Sequence, residues 1–154
     1  MFDAPADVLP VWIGVAAVSV AVLGVATGLP TTPAPDAAGA AATIDRVATG
    51  TYPATGEHGL AADRLKLSTE TVSLESAGGV ARAPLAEPVT PAPTDERLER
   101  VLRGESPDHV FDRPSEFRRV AAAARESTPE WTHAPDRLRV RQVHWGGTRV
   151  TLVG

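Results

Sequence analysis

The sequence predicts an α+β domain attached to an N-terminal transmembrane helix, and three observations carry that prediction. Residues 8–29 contain no charged side chain. Two glycine pairs, Gly78-Gly79 and Gly146-Gly147, are each flanked by residues that alternate between apolar and polar. Between these hairpin patterns lie short segments with helical apolar spacing and polar residues placed to cap them.

The run VLPVWIGVAAVSVAVLGVATGL, Val8 to Leu29, is almost wholly aliphatic, alanine or glycine. At about 1.5 Å rise per residue, its roughly 22 residues form a helix near 33 Å long, enough to cross a hydrocarbon core of about 30 Å. Ser19 and Thr27 interrupt it, and a helical hydroxyl can bond a backbone carbonyl one turn back. Gly14, Ala17, Ala21, Gly24 and Gly28 fall on one stripe of this helix. Small residues at such spacing let a second helix approach closely in lipid, so the stripe is a candidate packing face for another copy or for other single-span subunits. The plainer alternative is composition, because Ala16, Ser19 and Ala26 are small residues off the stripe.

The tail at 1–7, MFDAPAD, has two aspartates and no basic residue. It therefore lacks the basic n-region of a secretory signal, and the small-residue site Ala38-Gly39-Ala40 lies well beyond the apolar run, so 8–29 reads as an anchor. No Lys or Arg occurs before Arg46. Taken alone, Arg46 points weakly to a cytoplasmic domain by the positive-inside rule. Pro30, Pro33 and Pro35 then end the helix and make 30–35 a semi-rigid spacer.

The remainder, 36–154, is long enough for one modest core. Asp36 is the candidate N-cap of a helix reaching about Ala48, with Ala37, Ala41, Ile44 and Ala48 on one side and Gly50 as its stop. Leu65 and Leu67, then Val72 and Leu74, alternate with polar residues, and a Gly78-Gly79 turn would pair Leu74 with Ala83 and Val72 with Leu85. Pro84, Pro88, Pro91 and Pro93 limit this ladder, which makes the second strand an edge or a short one. Thr94 is expected to cap a helix burying Leu98, Val101 and Leu102 and ending at Gly104. After a loop over 105–110, Asp112 and Pro114 open a helix with Phe117, Val120, Ala121 and Ala124 on one face. At the C-terminus, a Gly146-Gly147 turn pairs Trp145 with Thr148, Val143 with Val150 and Arg141 with Leu152. Leu138 and Val140 fall on the opposite face from Val143, which calls for a bulge near Arg141 and Gln142 or for a strand buried on both sides. Loss of even the last few residues is expected to destabilise the fold.

Composition narrows the function classes. The net charge of −4 disfavours nucleic acid as a partner, and the absence of cysteine removes disulfide and thiolate chemistry. Lys66 is the sole lysine among 15 basic residues. Acid in excess with so little lysine suits a salt-tolerant surface and a GC-rich genome. His58, His109, His133 and His144 are scattered singly, without zinc-type spacing, and no Walker, G-x-S-x-G or G-x-G-x-x-G motif appears. His109 with Asp108 and Asp112 is the best local cluster. No catalytic residue, metal site or cofactor is expected, and the chain reads as non-enzymatic. Arg137, Arg139 and Arg141 alternate on one strand face, where they would suit an anionic ligand or an acidic partner. The plainer reading is a solvated face paired to acids on neighbouring strands. Trp131 reads as cover for a core edge.

VWIG at 11–14, ATIDRVA at 42–48, YPAT at 52–55, VTP at 89–91, VLRG at 101–104 and RVRQVHWGGTRVTLVG at 139–154 give the whole chain a resemblance. It resembles a family of short, single-span haloarchaeal proteins of unknown function found beside genes for pilus-like secretion machinery. That resemblance implies a cell-membrane location, a domain outside the cytoplasm, and a role near a type IV pilus-like or archaeal secretion system. The layout also resembles that of pilins. However, the chain lacks the basic residue and glycine that precede the apolar segment in pilin precursors, and the glutamate that follows soon after. Its prolines at 30, 33 and 35 would break a filament-core helix. The expectation is therefore an accessory or assembly component rather than a filament subunit, with an anchored module that binds an anionic ligand as the alternative.

Overall fold

The computed structural model of the chain describes residues 32–154. The tail at 1–7, the expected span at 8–29 with its stripe, and the first two spacer positions lie outside the described residues. Among the described residues no helix is long and apolar enough to cross a membrane. They form an α+β fold of two four-stranded sheets and several short helices.

Helix α1, Ala37–Ala48, begins where the sequence expects, because the Asp36 carboxylate accepts the Gly39 N–H at 2.8 Å. It ends at Thr49, whose N–H and hydroxyl both donate to the Asp45 carbonyl. Ala37, Ala40, Ala41, Ile44, Val47 and Ala48 are buried, so the helix is covered on more than one side. It lies between the sheets. Its apolar residues form one core with Leu65, Leu67, Val72, Leu74 and Ala83 of the first sheet and with Leu138, Val140 and Val153 of the second.

The first sheet has the order β4-β3-β2-β6, with β2 at Arg64–Leu67, β3 at Thr71–Ser76, β4 at Gly79–Pro84 and β6 at Thr132–His133. As expected, the proline-terminated β4 is an edge strand. Its register differs from expectation by two residues: Leu74 pairs with Ala81 and Val72 with Ala83. The turn is Ala77-Gly78. The Ser76 hydroxyl oxygen accepts the Gly78 N–H at 3.1 Å, and Gly79 follows the turn at φ +110°. A slip of two preserves side-chain parity, so Val72 and Leu74 still face the core.

The second sheet has the order β1-β7-β8-β5, with β1 at Thr55–Gly59, β5 at Thr90–Pro91, β7 at Arg137–Trp145 and β8 at Thr148–Val153. Here the expected hairpin register holds at all three pairs, from Trp145 with Thr148 to Arg141 with Leu152. Gly146 at φ +55° and Gly147 at +73° supply the two positive φ angles of a type I′ turn. The bulge near Arg141 and Gln142 is absent from the β7–β8 ladder, which runs unbroken from Val140–Val153 to Trp145–Thr148. The strand is instead buried on both faces. Leu138 and Val140 look into the α1 core, whereas Val143, Val150 and Leu152 join a second core on the other side of the sheet.

Three helices cover that second core: α2 (Glu96–Leu102), α3 (Pro107–Val110) and α4 (Pro114–Glu126). The expected apolar faces, Leu98, Val101 and Leu102 on α2 and Phe117, Val120, Ala121 and Ala124 on α4, are the buried ones. Thr94 is not the cap of α2. A 3-10 turn over Ala92–Thr94 occupies it, its hydroxyl donates to the Pro91 carbonyl, and Asp95 takes the Arg97 and Leu98 N–H groups instead. Part of the stretch expected as loop is helix α3, started by Pro107 at a first-turn position that needs no N–H donor. Asp112 does not cap α4; Arg113 precedes it without a side-chain cap, and Pro114 sits in its first turn. Phe117 stacks at a tilt between Phe111 and Trp145, at 5.3 and 6.1 Å between ring centroids.

Candidate functional site

Arg137, Arg139 and Arg141 share the face of β7 that carries Val143 further along, because strand side chains alternate. The structure divides them. Arg137 Nη1 and Arg139 Nε each donate at 3.2 Å to a different oxygen of Glu57, on the neighbouring strand β1. Arg141 turns away and donates through Nη1 to the carbonyls of Val101 and Glu105, the latter at 2.8 Å. The Val101 carbonyl lies in the last turn of α2, where a cation also meets the negative pole of the helix, and the Glu105 carbonyl lies in the segment just after it. Arg141 thus holds α2 to β7.

The pairing of Arg137 and Arg139 to an acid on a neighbouring strand agrees with the plainer expectation, but the acid itself, Glu57, is not marked in the sequence. It lies in Thr-Gly-Glu-His-Gly, which has neither apolar alternation nor β-branched density. This segment becomes a strand because it pairs residue by residue with β7 from Thr55–Arg141 to Gly59–Arg137. Glycine at 56 has a packing reason: a Cβ there would stand 2.9 Å from Val47 Cγ2 on α1. The Glu57 carboxyl is held below its ordinary pKa, first by the hydrogen bond from Arg137 and also by that from Arg139.

Beside these arginines is a cleft of about 570 Å³. Leu65, Leu102, Pro93 and Pro135 supply apolar lining, and Arg103, Arg137, Arg139 and His133 supply donors. Glu99 and Asp136 also line it, and Glu99 is paired with Arg103 at 2.5 Å. Glu57 does not; it lines the adjoining groove with Thr55 and Gly104. Glu57 therefore holds two guanidinium groups at the cleft wall from behind. The side chains of Arg137 and Arg139 are 69% and 48% exposed. Only one nitrogen of each is bonded to Glu57, which leaves further N–H groups for a carboxylate or phosphate oxygen.

The four histidines stay apart. His58 is on β1 near Thr43 and Asp36, His109 on α3, His133 on β6 and His144 on β7. Among the described residues no group of three or more His, Cys, Asp or Glu side chains is placed to hold a metal ion. Trp131 lies under the guanidinium of Arg64, 5.4 Å from its ring centre.

Residues 3–143 match the family described as a family of unknown function, DUF7283. The chain belongs to this family. The matched residues include Glu57 and all three β7 arginines and stop before the Gly146-Gly147 turn. No curated protein and no solved structure matches the chain.

Proposed function

We propose that this member of DUF7283 is a single-pass, membrane-anchored, non-enzymatic accessory or assembly component of a type IV pilus-like or archaeal secretion system, with its α+β head outside the cytoplasm. The observation that carries the reading is the uncharged apolar run from Val8 to Leu29, a proline-rich spacer away from the Asp36 cap that starts the folded head. The resemblance to single-span proteins beside pilus-like secretion genes supports the location and the neighbours. Protease treatment of intact and lysed cells tests it: the head should be cut in both, and the protein should stay with membranes after alkaline washing. A head protected in intact cells, or a chain released by the wash, overturns the reading. Pull-down with residues 8–29 intact should bring down other single-span subunits, and Gly24→Leu with Gly28→Leu should reduce that yield.

A second reading is favoured by the cleft. Arg137 and Arg139 reach it with unused donors beside an apolar lining, an arrangement suited to an anionic group on an apolar body. On this reading the head is an anchored binding module. Arg137→Gln with Arg139→Gln should abolish retention of such a ligand while near-UV circular dichroism stays unchanged; unchanged retention eliminates it.

A further inference from the structure

The outer edge of β4 carries backbone groups that no described residue uses. On β3 the Glu75 carbonyl accepts from Asp63, on the β2 side, while the Glu70 carbonyl accepts from Leu85, on the β4 side. Backbone polar groups alternate along a strand. Ser76, Leu74 and Val72 therefore bond Gly79, Ala81 and Ala83, and the N–H and C=O groups of Val80 and Arg82 point away from the sheet. Neither residue's backbone finds another partner among the described residues. Among the described residues Val80 is also one of two large hydrophobic side chains that stand out into solvent, at 52% exposure.

We infer that β4 pairs antiparallel with β4 of a second copy of this chain, about a two-fold axis through Ala81. The register follows from the free groups. Placing Val80 opposite the partner's Arg82, and Arg82 opposite the partner's Val80, satisfies all four outward groups of each copy with four hydrogen bonds. Pro84, the next outward position, has no N–H and ends the ladder there. This register keeps Arg82 from facing its own copy, and like charges directly opposite are unfavourable. It also lays the aliphatic stem of Arg82 along the exposed Val80 of the other copy. At the axis the facing residues are alanines, with Gly79 and Ala83 on the same side of the strand, the side on which α1 packs. The result is a continuous eight-stranded sheet. The pairing rests on the strand edge alone and stands whether or not the head is anchored to a membrane.

Because the chain has no cysteine, single thiols test the register directly in the full-length protein. Across the axis the two Ala81 Cα atoms would be about 4.5 Å apart, within disulfide reach, whereas the two Val80 Cα atoms would be about 7–8 Å apart, outside it. Ala81→Cys should oxidise to a covalent dimer, while Val80→Cys and the loop control Glu130→Cys should stay mostly monomeric. The Arg82 N–H points outward, so adding Arg82→Pro to Ala81→Cys should leave the β3 ladder and the circular dichroism intact. It should lower dimer yield roughly tenfold or more, since two intermolecular bonds are lost. Val80→Glu should tighten non-covalent association and Val80→Lys weaken it, each by roughly fivefold, through the two symmetric contacts with Arg82. A monomeric Ala81→Cys protein, equal crosslinking at Val80 or Glu130, or a dimer indifferent to Arg82→Pro overturns the inference.

Discussion

Replacing Gly146 with alanine should damage the domain far more than the same change one residue later. Both glycines have positive φ, a conformation that costs an L-residue with a Cβ about 1–2 kcal/mol. The space around them differs. A Cβ on Gly146 would stand 2.4 Å from Pro114 Cβ and 2.5 Å from its Cγ, whereas a Cβ on Gly147 meets nothing within 4 Å. The β7–β8 turn is thus seated on the first turn of α4, where overpacking adds about 1–3 kcal/mol. Gly147→Ala should cost about 1–2 kcal/mol and Gly146→Ala about 2–5 kcal/mol, the difference being the contact with Pro114. In a domain of about 120 residues, each kcal/mol lowers Tm by roughly 3–5 °C. Thermal unfolding of the full chain, followed by far-UV circular dichroism, reads both. In a double-mutant cycle, Pro114→Gly should recover the packing part of the Gly146→Ala cost and none of the Gly147→Ala cost. Equal destabilisation by the two alanines, or no coupling to Pro114, would refute the seating of this turn on the first turn of α4.

Three further outcomes follow from the same geometry. Glu57 has a depressed folded-state pKa, so its contribution is present above the ordinary glutamate pKa and lost as pH falls through the lowered value; carboxyl NMR titration should show that low value, and Arg137→Gln with Arg139→Gln should raise it. Gln142 is 1% exposed and donates its Nε2 to the Ala48 carbonyl at 2.9 Å, while its Oε1 has no partner among the described residues. Gln142→Met should therefore cost only about 1 kcal/mol in denaturant unfolding, because the lost donor bond is offset by removal of an unpaired acceptor, whereas Gln142→Glu should cost more than about 3 kcal/mol at pH 7 by burying a charge. Deleting 152–154 removes Leu152 and Val153, both fully buried and in different cores. Loss of cooperative unfolding is expected, and a retained sharp transition would contradict it.

Much of this architecture was legible from the sequence because local signals and tertiary burial agree. Asp36 followed by alanines, the apolar face of α4, and the Gly146-Gly147 pair inside alternating strands each state their role within a dozen residues, whereas Gly78-Gly79 marks a hairpin but not which of its residues make the turn. What stayed hidden depends on distant partners. Strand β1 owes its conformation to β7, some 80 residues on, so Thr-Gly-Glu-His-Gly gives no strand signal of its own. The two-sided burial of β7 registers only as a contradiction between Leu138-Val140 and Val143, and a bulge would resolve that contradiction equally well. What decides it is the presence of α1 on one face and α2 with α4 on the other. Glu57, the pivot of the candidate site, could be found from sequence only by asking which acid lies opposite the arginine strand.

The division among the three arginines also changes how the binding reading must be tested. Evenly spaced along β7, they invite replacement as a set. Arg141, however, donates to two carbonyls, one in the last turn of α2 and one just after it, so a glutamine there leaves these acceptors unpaired and frees the helix end. Its loss would remove binding indirectly, by moving Leu102 and Arg103, which line the cleft. Arg137 and Arg139 are exposed, and ion pairs of that kind add little to stability. Glu57→Gln supplies the complementary perturbation, since it releases both guanidinium groups and removes a competing carboxylate. If an anion occupies the cleft, Glu57→Gln should change its retention in a direction that reports which role dominates. Tighter retention means Glu57 competes for the donors, and weaker retention means it positions them. Retention lost with Arg141→Gln, yet untouched by Arg137→Gln with Arg139→Gln or by Glu57→Gln, would show that the cleft's arginines are fold elements and that the binding reading is wrong.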